Sequence, residues 1–404
     1  MEIESKSFTE SHKGILLLPT ILYFLSMDFM HLSNYLMLLF VALCLLVTNS
    51  NTIIYLKAEF FMLFFSFLSY FCIYHINNAI TLYNLVVYLF GPIAMYICGQ
   101  LLINSNTNEN NLIAYIYTIA AGLFTHGVLN IILFLRTGVD ILTLDGRSIQ
   151  NIWGGYCSAT LQNTNFVMTI ALLFFGLFIS KSFLERITIF LCCLFSVYAS
   201  IVTASRTILY LAIIVPCIVT VFFYFINRKE ISKLTRLTVV ISITIIICLL
   251  IYSSNIFNVQ DWFNSTSLAQ RTENGINNAV LRNSRWKYSA MVWNSILDYP
   301  FGNNPIKHFA HNMWLDAARL TGIIPFFFLV LYSILTIKTL IQFILCKQIG
   351  LKIKYIAFSI YVACTILFFI EPILEGIPYF FSLFCFINSM ISKLLYNKTV
   401  SVRY

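Results

Sequence analysis

Apolar runs close to one bilayer thickness recur along almost the whole chain, and no other feature limits its fold as tightly. About 20 mostly apolar residues cross a hydrocarbon core as a helix. On that criterion the sequence predicts spans near 14–30, 33–49, 57–75, 80–104, 112–135, 156–179, 183–204, 207–226, 236–253, 321–345, 353–370 and 376–395. The expected fold class is therefore all-α, a polytopic membrane protein of about twelve transmembrane helices. Composition leads the same way: 59% of residues are hydrophobic and 10% charged, too little polar surface for a globule in water. The eleven cysteines fall within or beside apolar runs and read as small core hydrophobes, not as a disulfide framework. No metal-spaced Cys/His cluster, glycine-rich phosphate loop or nucleic-acid module occurs, so no metal, cofactor or nucleic-acid partner is expected; the lipid bilayer is. The polar stretch from Met1 to Lys13 enters the first apolar run without a small-residue cleavage site, so that run is expected to stay as a helix.

The net charge of +9 is explained by its distribution. With twelve spans and both termini cytoplasmic, sixteen of the twenty-five cations fall inside, as the positive-inside rule asks. The remaining nine are Arg136, Arg147, Arg206, Arg271, Arg282, Arg285, Lys287, Lys307 and Arg319. Outside there are seven arginines and two lysines, against four and twelve inside. A planar guanidinium binds phosphate through two parallel hydrogen bonds, so the outer face reads as built to hold phosphate or another polyanion.

One outer segment, from about Ser254 to Thr321, is long, polar and amphipathic. It divides the chain into 1–253 with nine spans, 254–320 as a large outer loop, and 321–404 with three spans and a cytoplasmic tail. Within the loop, Trp286, Ala290, Trp293 and Leu297 recur at helical spacing after Arg282, Arg285 and Lys287, and Pro300, Gly302 and Pro305 end the helix. That pattern fits a helix lying along the membrane interface. A second helical stretch is expected from near His311 into the next span.

The candidate residues gather around this loop. His311, in HNMWLDAARLTGIIPF, has an ordinary pKa suited to proton transfer at neutral pH and stands among His308, Asn312, Asp316 and Arg319. A lone histidine there would read as an interfacial or capping group; in this company a functional role is favoured, with His308 ranked second. Arg206 follows Ser205 where two apolar runs join, and a topological anchor is disfavoured on that side. Arg285 opens the loop helix, where a lipid-headgroup contact competes with a functional role. Arg147 and Arg136 have Asp140 and Asp145 as nearby ion-pair partners. Arg319, three residues after Asp316, reads first as that residue's partner. Asp28 lies at the outer end of the first span, and Glu371 and Glu375 flank Pro372 in FIEPILEGIP; they read equally as functional acids or as a helix-end turn.

Three islands in order, SR after the seventh span, SRW followed by DYPFGN, and HN-x-W-L followed by LTGIIPF, resemble the bacterial O-antigen polymerase and O-antigen ligase superfamily. The resemblance covers roughly Thr203 to Phe328 and the overall topology. It implies a GT-C-like membrane glycosyltransferase in the bacterial inner membrane with a periplasmic active site. Its donor would be an oligosaccharide on undecaprenyl diphosphate, transferred with inversion and without a metal. Carried over residue by residue, the family's histidine falls on His311 and its two arginines on Arg206 and Arg285, while Arg147 enters only as a further diphosphate contact. Asn312, His308, Asp316 and Arg319 are supporting candidates, and a chain-length regulator and a flippase of the same pathway are candidate partners.

Polymerase and ligase differ in acceptor, a second lipid-linked repeat unit or the sugar of a lipid A core. The polymerase is favoured by analogy with the Phe-, Tyr-, Ile- and Asn-rich composition of such chains. A lipid-linked oligosaccharide flippase is the rival of another class. It ranks second because the sequence shows no paired repeat and its polar mass is lopsided.

Overall fold

The computed structural model describes residues 17–48, 54–78, 81–103, 109–144, 147–226, 253–255, 258–277 and 279–400. Its helices are α1 (Leu17–Ser26), α2 (Ser33–Val47), α3 (Ala58–Asn77), α4 (Tyr83–Leu102), α5 (Glu109–Thr137), α6 (Ala159–Thr164), α7 (Val167–Phe178), α8 (Phe183–Val202) and α9 (Thr207–Ile226). After these come α10 (Val259–Asn264), α11 (Ser267–Asn277), α12 (Ala279–Ser295), α13 (Met313–Thr321), α14 (Ile323–Leu345), α15 (Leu351–Ile370), α16 (Ile373–Gly376) and α17 (Pro378–Val400). Among the described residues, seven helices are long and apolar enough to cross a membrane: α3, α4, α5, α8, α14, α15 and α17. Helices α1 and α2 are apolar but shorter, and the span expected at 236–253 lies almost wholly outside the described residues.

Two places depart from the sequence expectation. The all-α class holds, with one small addition, a short antiparallel hairpin of β1 (Ser148–Gln150) and β2 (Tyr156–Ser158), with Ile149 opposite Cys157. Its turn is set by Asn151, whose side chain accepts from the Trp153 N–H at 3.0 Å while its carbonyl accepts from Gly154, the local bonding by which Asn competes with helix. The run expected as one span over 156–179 is divided: Ser158 caps α6 through the Leu161 N–H, and the helix breaks at Asn165–Phe166 before α7. Buried amides hold the break. Asn130 Nδ2 donates to Gln162 Oε1 at 2.8 Å, and Gln162 Nε2 donates to the Gly127 carbonyl at 2.9 Å.

The chain forms two compact units, one of Met1–His126, Ser284–Ala357 and Cys364–Tyr404, the other of Gly127–Asn283 and Phe358–Ala363. In the first, α17 is almost wholly buried, with α4 along it and α3 packed on α14. Between apolar helices in lipid, directional bonds add to packing. Here Asn388 of α17 donates to Tyr332 OH at 3.0 Å, and Gln100 of α4 donates to the Ser389 carbonyl at 3.0 Å. Glu59, buried at the start of α3, accepts from Tyr96 OH at 2.6 Å and Thr339 Oγ1 at 2.7 Å, so both carboxylate oxygens are satisfied. In the second unit α7, α8 and α9 pack together.

Candidate functional site

In the first unit, two of the quoted sequence islands meet. The Ile323 N–H donates to the Pro300 carbonyl at 3.0 Å, and Asn303 and Asn304 donate to the carbonyls of Leu320 and Arg319, each at 3.3 Å. The contact needs glycine on both sides. Gly302 has φ 73° and Gly322 φ 84°, and a Cβ on either would overlap backbone of the other strand of the contact, Leu320 or Pro300. The DYPFGN and LTGIIP islands thus close the base of the loop over residues 303–312.

His311 sits at the far end of that loop, its flanking backbone fixed on both sides. Asp316 accepts from the Ala310 N–H at 2.7 Å through Oδ1 and from the Asn312 N–H at 3.3 Å through Oδ2. The Ala310 carbonyl accepts from Ser289 Oγ of α12 at 2.6 Å. Asn312 caps α13 by accepting from the Leu315 N–H, so the helix starts two residues after the histidine and not at it. The histidine itself is held at φ 54°, a conformation that costs a residue with a Cβ about 1–3 kcal/mol and persists only where its surroundings impose it. Its Nδ1 is enclosed and makes no hydrogen bond. Burial first, and the Arg285 cation second, push the imidazole down to about 4, so at neutral pH His311 is a free base able to accept a proton.

Arg285, in α12, donates through Nη1 to the Ile370 carbonyl at 2.9 Å and pairs with Glu371 Oε1 at 3.5 Å. Arg319 lies 3.5 Å from Asp316 Oδ1 through Nε, but its shorter contact is Glu375 Oε1, 2.5 Å from Nη2. Phe309 covers the guanidinium at 5.9 Å. Burial raises the Asp316 carboxyl against the pull of its hydrogen bonds and of Arg319, and lifts Glu375 to about 7. His308 is exposed and stacks near Tyr288 at 4.6 Å, apart from these hydrogen bonds. On α12, Trp286 is 81% and Trp293 58% exposed, an apolar face of the kind the sequence assigns to an interfacial helix.

The second unit brings together other arginines. At the end of α8 the chain turns through Thr203–Arg206, with Ala204 at φ 50°. Asn163 Nδ2 holds Thr203 Oγ1 at 2.7 Å. The Ala204 carbonyl accepts from Arg147 Nη1 at 3.0 Å and also from Arg271 Nη1, and Arg206 Nη2 donates to the Arg271 carbonyl at 3.2 Å. Three guanidinium groups therefore crowd one turn, a set of planar donors suited to an anion with several oxygens. Beside the turn, a cleft of about 440 Å³ includes Asp140, Tyr198, Val202, Trp262 and Ser267.

Of the residues singled out from sequence, Arg285, His308, His311, Asn312, Asp316 and Arg319 belong to the first unit, and Arg147 and Arg206 to the second. Arg271 was visible only as one of nine outer cations, because its convergence with Arg206 spans 65 residues. Glu371 and Glu375 were noticed, but their arginine partners lie 86 and 56 residues away. Asp28, at φ 49°, accepts from the Ser33 N–H at 3.3 Å and pairs with His31 at 3.0 Å, away from both clusters in hydrogen bonding. Compared with protein-family models and with curated proteins, the chain matches none.

Proposed function

We propose that this chain is an O-antigen polymerase, a twelve-span enzyme of the bacterial inner membrane with cytoplasmic termini and a periplasmic active site. It joins oligosaccharide repeat units carried on undecaprenyl diphosphate. The observation that carries this reading is His311: a neutral imidazole on strained backbone, with an enclosed ring nitrogen and an arginine close by. In the proposed reaction His311 takes the proton from a hydroxyl of the acceptor sugar. The oxygen forms a bond to the donor's anomeric carbon as the bond from that carbon to the diphosphate oxygen breaks, with inversion. The leaving diphosphate gains charge, which fixed guanidinium groups stabilise without reorganising. Arg206 and Arg285 are the main candidates for that role, and Arg147 and Arg271 share the turn with Arg206.

The reading is tested by the lipopolysaccharide ladder of a strain deleted for this chain and complemented with wild type or His311→Ala. A polymerase leaves core plus a single repeat on deletion, and only wild type restores long chains while the variant still accumulates in the membrane. Bare core with lipid-linked polymer accumulating would make the chain the ligase. A variant as good as wild type would point to transport or assembly.

A further inference from the structure

The turn between α15 and α17, FIEPILEGIP, is not absorbed by the chemistry above, yet it bonds Arg285 directly and reaches the His311 loop through Arg319 and Asp316. At one end, Glu371 is fully buried and pairs with Arg285, whose Nη1 also bonds the Ile370 carbonyl. At the other, Glu375 holds Arg319, Arg319 holds Asp316, and Asp316 accepts from the amides on both sides of His311. Pro372, Ile373 and Leu374 separate the two carboxylates, and Glu375 itself sits in the single helical turn α16, so their spacing is set by a short, rigid piece of backbone.

We infer that this turn is a two-carboxylate clamp in which Glu371 and Glu375 are positioning residues that fix Arg285 and the His311 loop relative to each other. The inference rests on the proposed roles of Arg285 and His311, and neither glutamate touches the reacting atoms. A buried ion pair is weak evidence for stability, because desolvation offsets most of the attraction. Its more direct consequence is geometric. The planar guanidinium of Arg285 is oriented by one carbonyl and one carboxylate, and the left-handed backbone at His311 is held by the carboxylate that Arg319 ties to Glu375. Displacement of a catalytic group by about 1 Å costs on the order of 100-fold in rate, and that is the error such a clamp prevents.

The test uses the full chain in lipid nanodiscs, with lipid-linked repeat units extracted from the deletion strain as substrate and chain elongation as the readout. Glu371→Gln is expected to raise the KM for the lipid-linked donor on the order of tenfold through Arg285, and Glu375→Gln to lower kcat by a similar factor through the His311 loop. Both changes keep the side-chain shape. The decisive comparison is a double-mutant cycle, because residues acting through one another are not additive. In an Arg285→Ala background, Glu371→Gln should have no further effect on the residual activity. Should Glu371→Gln fail to accumulate, the same cycle is run with Glu371→Asp. A Glu371 effect that persists undiminished without Arg285, or both single variants matching wild type, would overturn the clamp. His311→Ala in the same assay separates this from failure of the functional reading: if it alone abolishes elongation, the reading stands while the clamp falls.

Discussion

His311, the proposed proton acceptor, is held at about 4, which makes its pH dependence unusual and measurable. An imidazole with an ordinary pKa near 6.5 would be only about 9% in the free-base form at pH 5.5, whereas one at about 4 would be roughly 97% free base. Elongation by the Glu375→Gln protein in nanodiscs, in which the carboxyl lifted to about 7 no longer titrates, measured from pH 4 to 8, should therefore keep its kcat/KM down to about pH 5 and fall only below it, since that parameter reports the free enzyme. The acid limb of kcat, which reports the complex, should lie at higher pH. A bound diphosphate offsets Arg285, the smaller of the two causes of the depression, and leaves burial as the larger. For the same reason Arg285→Gln should move the kcat/KM limb upward without bringing it to 6.5. In the Glu375→Gln protein a limb at the ordinary histidine pKa would refute the enclosure of His311, and a limb that did not move on adding Arg285→Gln would refute the electrostatic coupling.

The same depression acts on folding. Because the folded state disfavours the protonated ring, the contribution of His311 to stability is complete above pH 6.5 and is lost as pH falls toward 4. At 1.36 kcal/mol per pKa unit the shift corresponds to about 3 kcal/mol, and roughly half of that after solvent screening of a part-exposed ring. Thermal unfolding of wild type against His311→Asn should show the wild type losing stability relative to the variant between pH 6.5 and 4, with the two running parallel above that window.

Three further outcomes follow from the geometry. Arg271→Ala should weaken binding of the lipid-linked donor and Arg271→Lys should restore little of it, because an ammonium is a point charge and cannot reproduce the planar fork; equal affinity in a binding titration would remove Arg271 from the site. Gly322→Ala should destabilise the protein by at least 1–3 kcal/mol, the approximate cost of a left-handed non-glycine residue, with the overlap against the Pro300 carbonyl added, and should reduce elongation together with the melting temperature. His311→Ala should leave the melting temperature at pH 7.5 near that of wild type while abolishing long chains on the lipopolysaccharide gel.

What the sequence made legible is what local pattern encodes. Apolar length located α3, α4, α5, α8, α14, α15 and α17, because a helix satisfies its own backbone and needs no partner to be recognised. The loop helix and its Trp286 and Trp293 face were readable from helical spacing, and Asn312 and Asp316 were picked out beside His311, though their work of capping α13 and bonding the loop amides was not. Long-range partnership was hidden. Nothing near Arg206 indicates that Arg271 donates to the same carbonyl as Arg147, and nothing near Glu375 indicates Arg319. The break at Asn165 was missed because hydropathy averages over Gln162, Asn163 and Asn165, three buried amides of which Gln162 is bonded by Asn130 of α5 and by Asn165, and Asn163 bonds Thr203 in the turn after α8.

The two clusters handle charge in opposite ways. In the first unit, Arg285 and Arg319 face Glu371, Asp316 and Glu375, two cations against three carboxyls, and burial raises Asp316 and Glu375 so that the surplus is absorbed by a proton near neutral pH. Such a cluster leaves His311 uncharged at neutral pH. In the second unit the turn at Ala204 gathers Arg147, Arg206 and Arg271, and an anion bound among them lowers their mutual repulsion. The first kind of environment suits a proton acceptor, because each added cation would depress it further. In the proposed reaction a departing diphosphate gains from fixed guanidinium groups, of which Arg285 lies in the first unit and Arg206 in the second. In the proposed reading the proton acceptor and the arginine turn are tuned by different residues, and Arg285, tied to Glu371, is the cation that lowers the His311 imidazole.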